Sequence, residues 1–175
     1  SNVSIVKKGW LLMGLLAVGL GSIVLTTMLA SGAIDRTNRE VSERVLPFHE
    51  GALAVQLHVV QIQQWLQDIS ATRALDGLND GFAKAEAEYQ AAMERLDATA
   101  ALDAGYDAVY TDLRQRLEAY YSVGKRMAQA YVDGGPQSGN TMMGEFDAAA
   151  EALHEQLAAL LARAAEQKNA MLAEQ

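Results

Sequence analysis

The sequence predicts an all-α fold: a membrane-anchored antiparallel up-down-up-down four-helix bundle whose first and last helices are long. Three observations predict it. A charge-free apolar run extends from Gly9 to Ala30. The remainder is rich in alanine and carries apolar residues at alternating three- and four-residue steps. Only two prolines and few β-branched residues beyond the run interrupt that pattern. The organisation expected is a cytoplasmic N-terminus over 1–8, a transmembrane helix over 9–31 and one extracytoplasmic helical domain over 32–175.

The apolar run comes first. About 22 residues at ~1.5 Å per residue give ~33 Å, enough for the roughly 30 Å hydrocarbon core. Lys7 and Lys8 precede the run, Trp10 sits at one interface, and Asp35, Arg36, Glu40 and Glu43 follow. The positive-inside bias then keeps the N-terminus cytoplasmic and exports the chain from Ala33 onward. A cleavable signal peptide, cut among Ala30, Ser31, Gly32 and Ala33, is the competing reading. Its apolar core would span only ~7–15 residues, shorter than this run.

Helix one follows from Val41, Val45, Phe48, Ala52, Val55, Val59, Ile62, Leu66 and Ile69, which form a single heptad seam. Pro47 lacks an N–H, so a bend is expected near Glu43. The segment from Leu75 to Gly81, with its Gly and Asx residues, ends this helix and offers the next one a cap. Helix two carries Phe82, Ala85, Tyr89, Met93 and Leu96, and fades between Thr99 and Gly105. Helix three carries Tyr106, Tyr110, Leu113, Leu117, Tyr120, Gly124, Met127 and Tyr131, and stops at Asp133-Gly134-Gly135-Pro136. Asn140 or Thr141 caps helix four, whose seam is Phe146, Ala150, Leu153, Leu157, Leu160, Ala164 and Met171. The register still runs at Gln175, so continuation into a second span and a cytoplasmic output region is expected. Short loops then bring helices one and four together at the membrane, with the loops near Asp76 and Pro136 at the far tip.

Charge and composition narrow the function. Lys7 and Lys8 are two of the 14 basic residues, so the exported part holds 12 against 22 acidic ones. Such a surface repels nucleic acid. The absence of cysteine removes disulfides, thiolate metal sites and a cysteine nucleophile. His49-Glu50 and His154-Glu155 begin like a zinc-protease motif, but Leu53 and Ala158 stand where the second histidine belongs. Glu151 and His154 form one Glu-x-x-His pair, where a di-iron bundle needs two. No catalytic residue, metal ligand or cofactor is therefore expected. His49 and His154 lie at similar heights along their helices, which leaves a haem- or metal-carrying bundle as a distant alternative. Met142 and Met143 read as core filler before a soft-metal site, and Tyr121 falls off the seam.

Two stretches carry a family likeness. Gln63 to Arg73 followed by Gly77 to Phe82, and Tyr120 to Tyr131 followed by Gly139, Asn140, Met143, Phe146 and Asp147, resemble the periplasmic sensor region of bacterial methyl-accepting chemotaxis receptors. The likeness covers nearly the whole chain. It implies a dimeric periplasmic bundle, anchored in the bacterial inner membrane, that passes a small helix displacement across it. The sensor would meet its ligand directly or through a periplasmic binding protein. Input domains of membrane histidine kinases and cyclic-dinucleotide enzymes share this type and are the alternative.

The candidate site lies at the tip. Gln61, Gln64, Asp68 and Thr72 recur beside the seam of helix one, and Arg73 takes a seam position where an apolar residue was due. Arg73 needs a counter-charge, either a structural one such as Asp68, Asp76 or Asp133, or an anionic ligand matched to its guanidinium fork. Tyr131, Asn140 and Thr141 are expected beside it, with free backbone N–H groups at the start of helix four. Trp65 or Phe146 closes the apolar side. Leu46, Leu53, Leu57 and Val60 form a second face on helix one, suited to a parallel homodimer.

Overall fold

The computed structural model describes residues 19–22, 25–28, 31, 38–75 and 80–173. All described elements are helical, and no strand occurs among them. Four long helices occur among the described residues: α1 (Leu46–Thr72), α2 (Gly81–Ala100), α3 (Asp107–Gly139) and α4 (Met143–Ala173). A π-helical turn, Val41–Val45, leads into α1, and a 3-10 turn, Asn140–Met142, leads into α4. Most of the expected transmembrane helix, and all of residues 1–8, lie outside the described residues. Among those described, no helix is long and apolar enough to cross a membrane.

Each seam turns inward. Phe48, Ala52, Val55, Val59, Ile62 and Leu66 of α1 are almost wholly buried, as are Leu113, Leu117 and Tyr120 of α3 and Leu153, Leu157 and Leu160 of α4. Burying a large apolar side chain is worth about 1.5–3 kcal/mol, so this shared core dominates the stability. Helix α1 packs against all three others, and α3 packs against both α2 and α4. Small residues bring α1 and α2 close together. A Cβ on Gly51 would collide with Thr99, whose hydroxyl turns back to donate to Arg95 O at 2.7 Å. Deeper along α3, a Cβ on Gly124 would lie 2.6 Å from Leu66 Cδ1 and 2.8 Å from Phe146 Cε2.

The helix runs unbroken through Pro47, as expected: at the position where a bend was expected, the Leu46 N–H reaches Val41 O in a π-helical turn, which absorbs the missing proline donor and the crowding at Glu43. Other local expectations are corrected. Helix α1 ends earlier than the glycine-bearing segment suggested. Arg73 and Ala74 both adopt left-handed backbone, with φ of 56° and 54°, and Arg73 N–H closes on Ile69 O at 2.8 Å. Asp80 stands at the start of α2 but caps nothing, because its carboxylate pairs with Lys84 at 2.7 Å. The hydrogen bond it accepts from Lys84, and then the charge of that ammonium, hold the Asp80 carboxyl below its ordinary pKa. Helical backbone in α3 breaks at Gly135 (φ 66°, ψ −162°), as the Gly-Gly-Pro sequence requires, and resumes at once through Pro136.

At the opposite end of α3, the α2–α3 connection is clasped from three sides. The Asp103 carboxylate is nearly inaccessible, accepts a hydrogen bond from Tyr110 Oη at 2.9 Å and pairs with Arg163 of α4. The Arg163 guanidinium lies 3.7 Å over the Tyr106 ring and 5.9 Å from that of Phe48. Burial, and then the neighbouring Asp103 carboxylate, push the Tyr110 hydroxyl well above its ordinary pKa.

Candidate functional site

Among the described residues, a candidate site is a cleft of about 300 Å³ between α1, α3 and α4. Helix α1 supplies Gln63, Gln67 and Ser70, α3 supplies Met127 and Tyr131, and α4 supplies Phe146, Asp147 and Ala150. Its base is rigid. Phe146 is buried and stacks on Tyr120 with ring centroids 5.2 Å apart, while Gly124 lets α3 approach both Phe146 and Leu66. Tyr131 is held from two sides: its hydroxyl donates to Asn140 Oδ1 at 2.5 Å, and Gly139 leaves room for its ring. Ser70 Oγ donates to Leu66 O at 2.7 Å, which keeps its lone pairs toward solvent or an occupant.

A second cleft of about 260 Å³ lies between α1, α2 and α3, walled by Asp68, Ile69, Thr72, Phe82 and Val132. The sequence-predicted site is therefore divided. Asp68 and Thr72 belong to this second cleft, Tyr131 lines the first, and Gln64 is exposed and lines neither. The division follows from helix geometry, since Gln63, Gln67 and Ser70 step along one side of α1 while Asp68 and Thr72 lie on another.

The tip groups meet in part. Tyr131 and Asn140 are bonded directly, and Arg73 comes over Gly135, its guanidinium carbon 3.6 Å from where a Cβ would stand. Arg73 is exposed and forms no ion pair among the described residues; Asp133 accepts instead from Gln129 at 2.8 Å. Asp76 lies outside the described residues. The helix-four cap is not as expected. The Asn140 N–H is taken by Pro136 O, the Thr141 hydroxyl donates to Ser138 O at 2.6 Å, and neither side chain caps the helix. The Asn140 N–H expected to be free for an anion is thus already used, because the helix restarts at Pro136. Trp65 faces α2, under the Lys84 ammonium at 4.3 Å, so only Phe146 lines the main cleft.

The two histidines considered for the distant haem or metal alternative have separate surroundings: His49 meets Lys168 Nζ at 3.4 Å, and His154 is exposed. No group of three or more metal-ligating side chains occurs among the described residues. Tyr121 is buried and stacks on Tyr89 of α2 at 4.4 Å, with the rings 7° from parallel. The hydroxyls of Tyr120 and Tyr121 are buried with no partner, and burial raises the pKa of both.

No protein-family model, curated protein or solved structure matches this chain. The functional reading rests on the residues and their geometry. Gln63, Gln67, Ser70 and Asp147 stand outside the sequence-predicted site, although each lies in a stretch that carries the family likeness. The available signal was their three- and four-residue spacing next to the seam, which does not specify the side of the seam that a cleft will occupy.

Proposed function

We propose that this chain is the extracytoplasmic ligand-sensing domain of a transmembrane chemoreceptor, signalling small-molecule binding across the bacterial inner membrane by helix displacement. The observation that carries the reading is the main cleft, whose walls come from α1, α3 and α4 together. An occupant touches α1, which follows the apolar run, and α4 at the same time. It therefore favours whichever packing of those two helices it fits better. In this reading the four helices run antiparallel, up-down-up-down, with the loops after α1 and α3 far from the membrane. The domain signals without catalysing a reaction.

Assembly is part of the proposal. Leu46, Leu53, Leu57 and Val60 stand 37 to 57% exposed on one face of α1, at heptad spacing. A parallel homodimer through α1 removes this stripe from water and sets two clefts side by side.

The test is a chimaera that joins this chain to the cytoplasmic part of a chemoreceptor, screened against amines, amino acids, organic acids and inorganic ions, with and without periplasmic binding proteins. At least one compound is expected to change the output in a saturable way. Silence across the screen, or a reporter after Gln175 active only in the cytoplasm, overturns the reading.

A further inference from the structure

The walls of the main cleft differ in charge, and the difference selects an occupant. Asp147 is the one charged group among the cleft-lining residues. It is exposed at the mouth, and no cation pairs with it among the described residues. Its neighbour Glu145 is already paired with Arg126 at 2.6 Å, and Lys125 lies over the Tyr121 ring at 5.7 Å, so both cations of that stretch of α3 are engaged elsewhere. Facing Asp147 across the cleft, α1 offers two glutamine amides with no hydrogen-bond partner among the described residues and the lone pairs of Ser70. The Tyr131 hydroxyl donates its hydrogen bond to Asn140 Oδ1, so to an occupant it too offers acceptor lone pairs and a ring face. Met127, Phe146 and Ala150 make the base apolar.

An anion entering here meets a carboxylate and no positive group. A cation meets that carboxylate, oxygen acceptors and an aromatic face, within a chain of net charge −8. We propose that the cleft binds a small organic cation, a primary amine on an apolar body of about one ring. The ammonium sits at Asp147 and the body lies on Phe146 and Met127. This replaces the anionic ligand suggested by Arg73, whose guanidinium lies over Gly135 outside the cleft. What binding does rests on the sensor reading; the choice of cation rests on the cleft alone.

The probe is phenethylamine, compared by calorimetry with phenethyl alcohol and hydrocinnamate, on the full chain in detergent. Phenethylamine is expected to bind saturably, about tenfold more tightly than the alcohol, with no binding of hydrocinnamate. Asp147→Asn, which keeps the shape, brings the amine to the level of the alcohol. Ala150→Leu narrows the cleft and weakens both. No saturable binding of phenethylamine, equal binding of hydrocinnamate, or an amine affinity untouched by Asp147→Asn overturns the inference. If the amine binds as expected but the chimaera does not answer to it or to any other compound, the sensor reading fails and the cation site stands. If phenethylamine does not bind but the chimaera answers to another compound, the cation inference fails and the sensor reading stands.

Discussion

Asp103→Ala tests how the bundle is held together near the α2–α3 connection. The substitution removes a carboxylate whose side chain is 3% exposed and leaves Arg163, 20% exposed, without its partner. Breaking a buried pair from one side costs about 3–5 kcal/mol, and partial access of water to Arg163 places this case at the lower end. Tyr110 Oη also loses its acceptor in a buried setting, which adds to the same loss. About 3 kcal/mol is expected, a large part of a total stability of roughly 5–15 kcal/mol. For a helical domain of this size that lowers the melting temperature by roughly 6–12 °C, read by circular dichroism on the full chain in detergent. The Asp97–Arg114 pair is the control. Its N···O distance is 2.6 Å, but Asp97 is 62% exposed, so Asp97→Ala costs about 0–1 kcal/mol. The double variant Asp103→Ala with Arg163→Met removes both charges and recovers at least half of the loss, because no guanidinium is left unpaired in the interior. A loss below about 1 kcal/mol for Asp103→Ala, or strict additivity in the double variant, would refute the reasoning.

Burial raises the pKa of Tyr110 and Tyr120 above the ordinary 10.0. Their contribution to stability is fully present below that pH and is lost as pH rises beyond it, so the urea midpoint should hold up to about pH 10 and then fall. A midpoint flat through about pH 11 contradicts their burial. Arg73→Gly relieves a left-handed backbone at an exposed helix end and should stabilise the chain by about 0.5–1 kcal/mol, measured by urea unfolding. Destabilisation would show that the guanidinium over Gly135 contributes more than the backbone strain. Single cysteines at Leu53, Leu57 and Val60 should cross-link between subunits, whereas cysteines at the buried Val55 and Val59 should not. Equal yields at all five positions would remove α1 as the dimer interface.

The seams were legible in the sequence because helical amphipathicity is local. A side chain's place on a helix face follows from its spacing, and the seam residues of α1, α3 and α4 are buried accordingly, except Tyr106 at 42% exposure and the half-buried Ala150 and Met171. The Gly134-Gly135-Pro136 break was legible for the same reason, since only glycine takes that backbone cheaply. Other features depend on how the helices meet. Tyr121 lies off its seam, yet it is buried because α3 has neighbours on several sides and its second face packs on Tyr89. Asp103 and Arg163 stand sixty residues apart, and nothing in either local sequence announces the other. The cleft is set by the rotation of α1, which turns Gln63, Gln67 and Ser70 toward α4 while Asp68 and Thr72 face the second cleft. Spacing fixes positions around one helix axis, but a cavity needs the relative rotation of three helices, and only their packing against one another determines that.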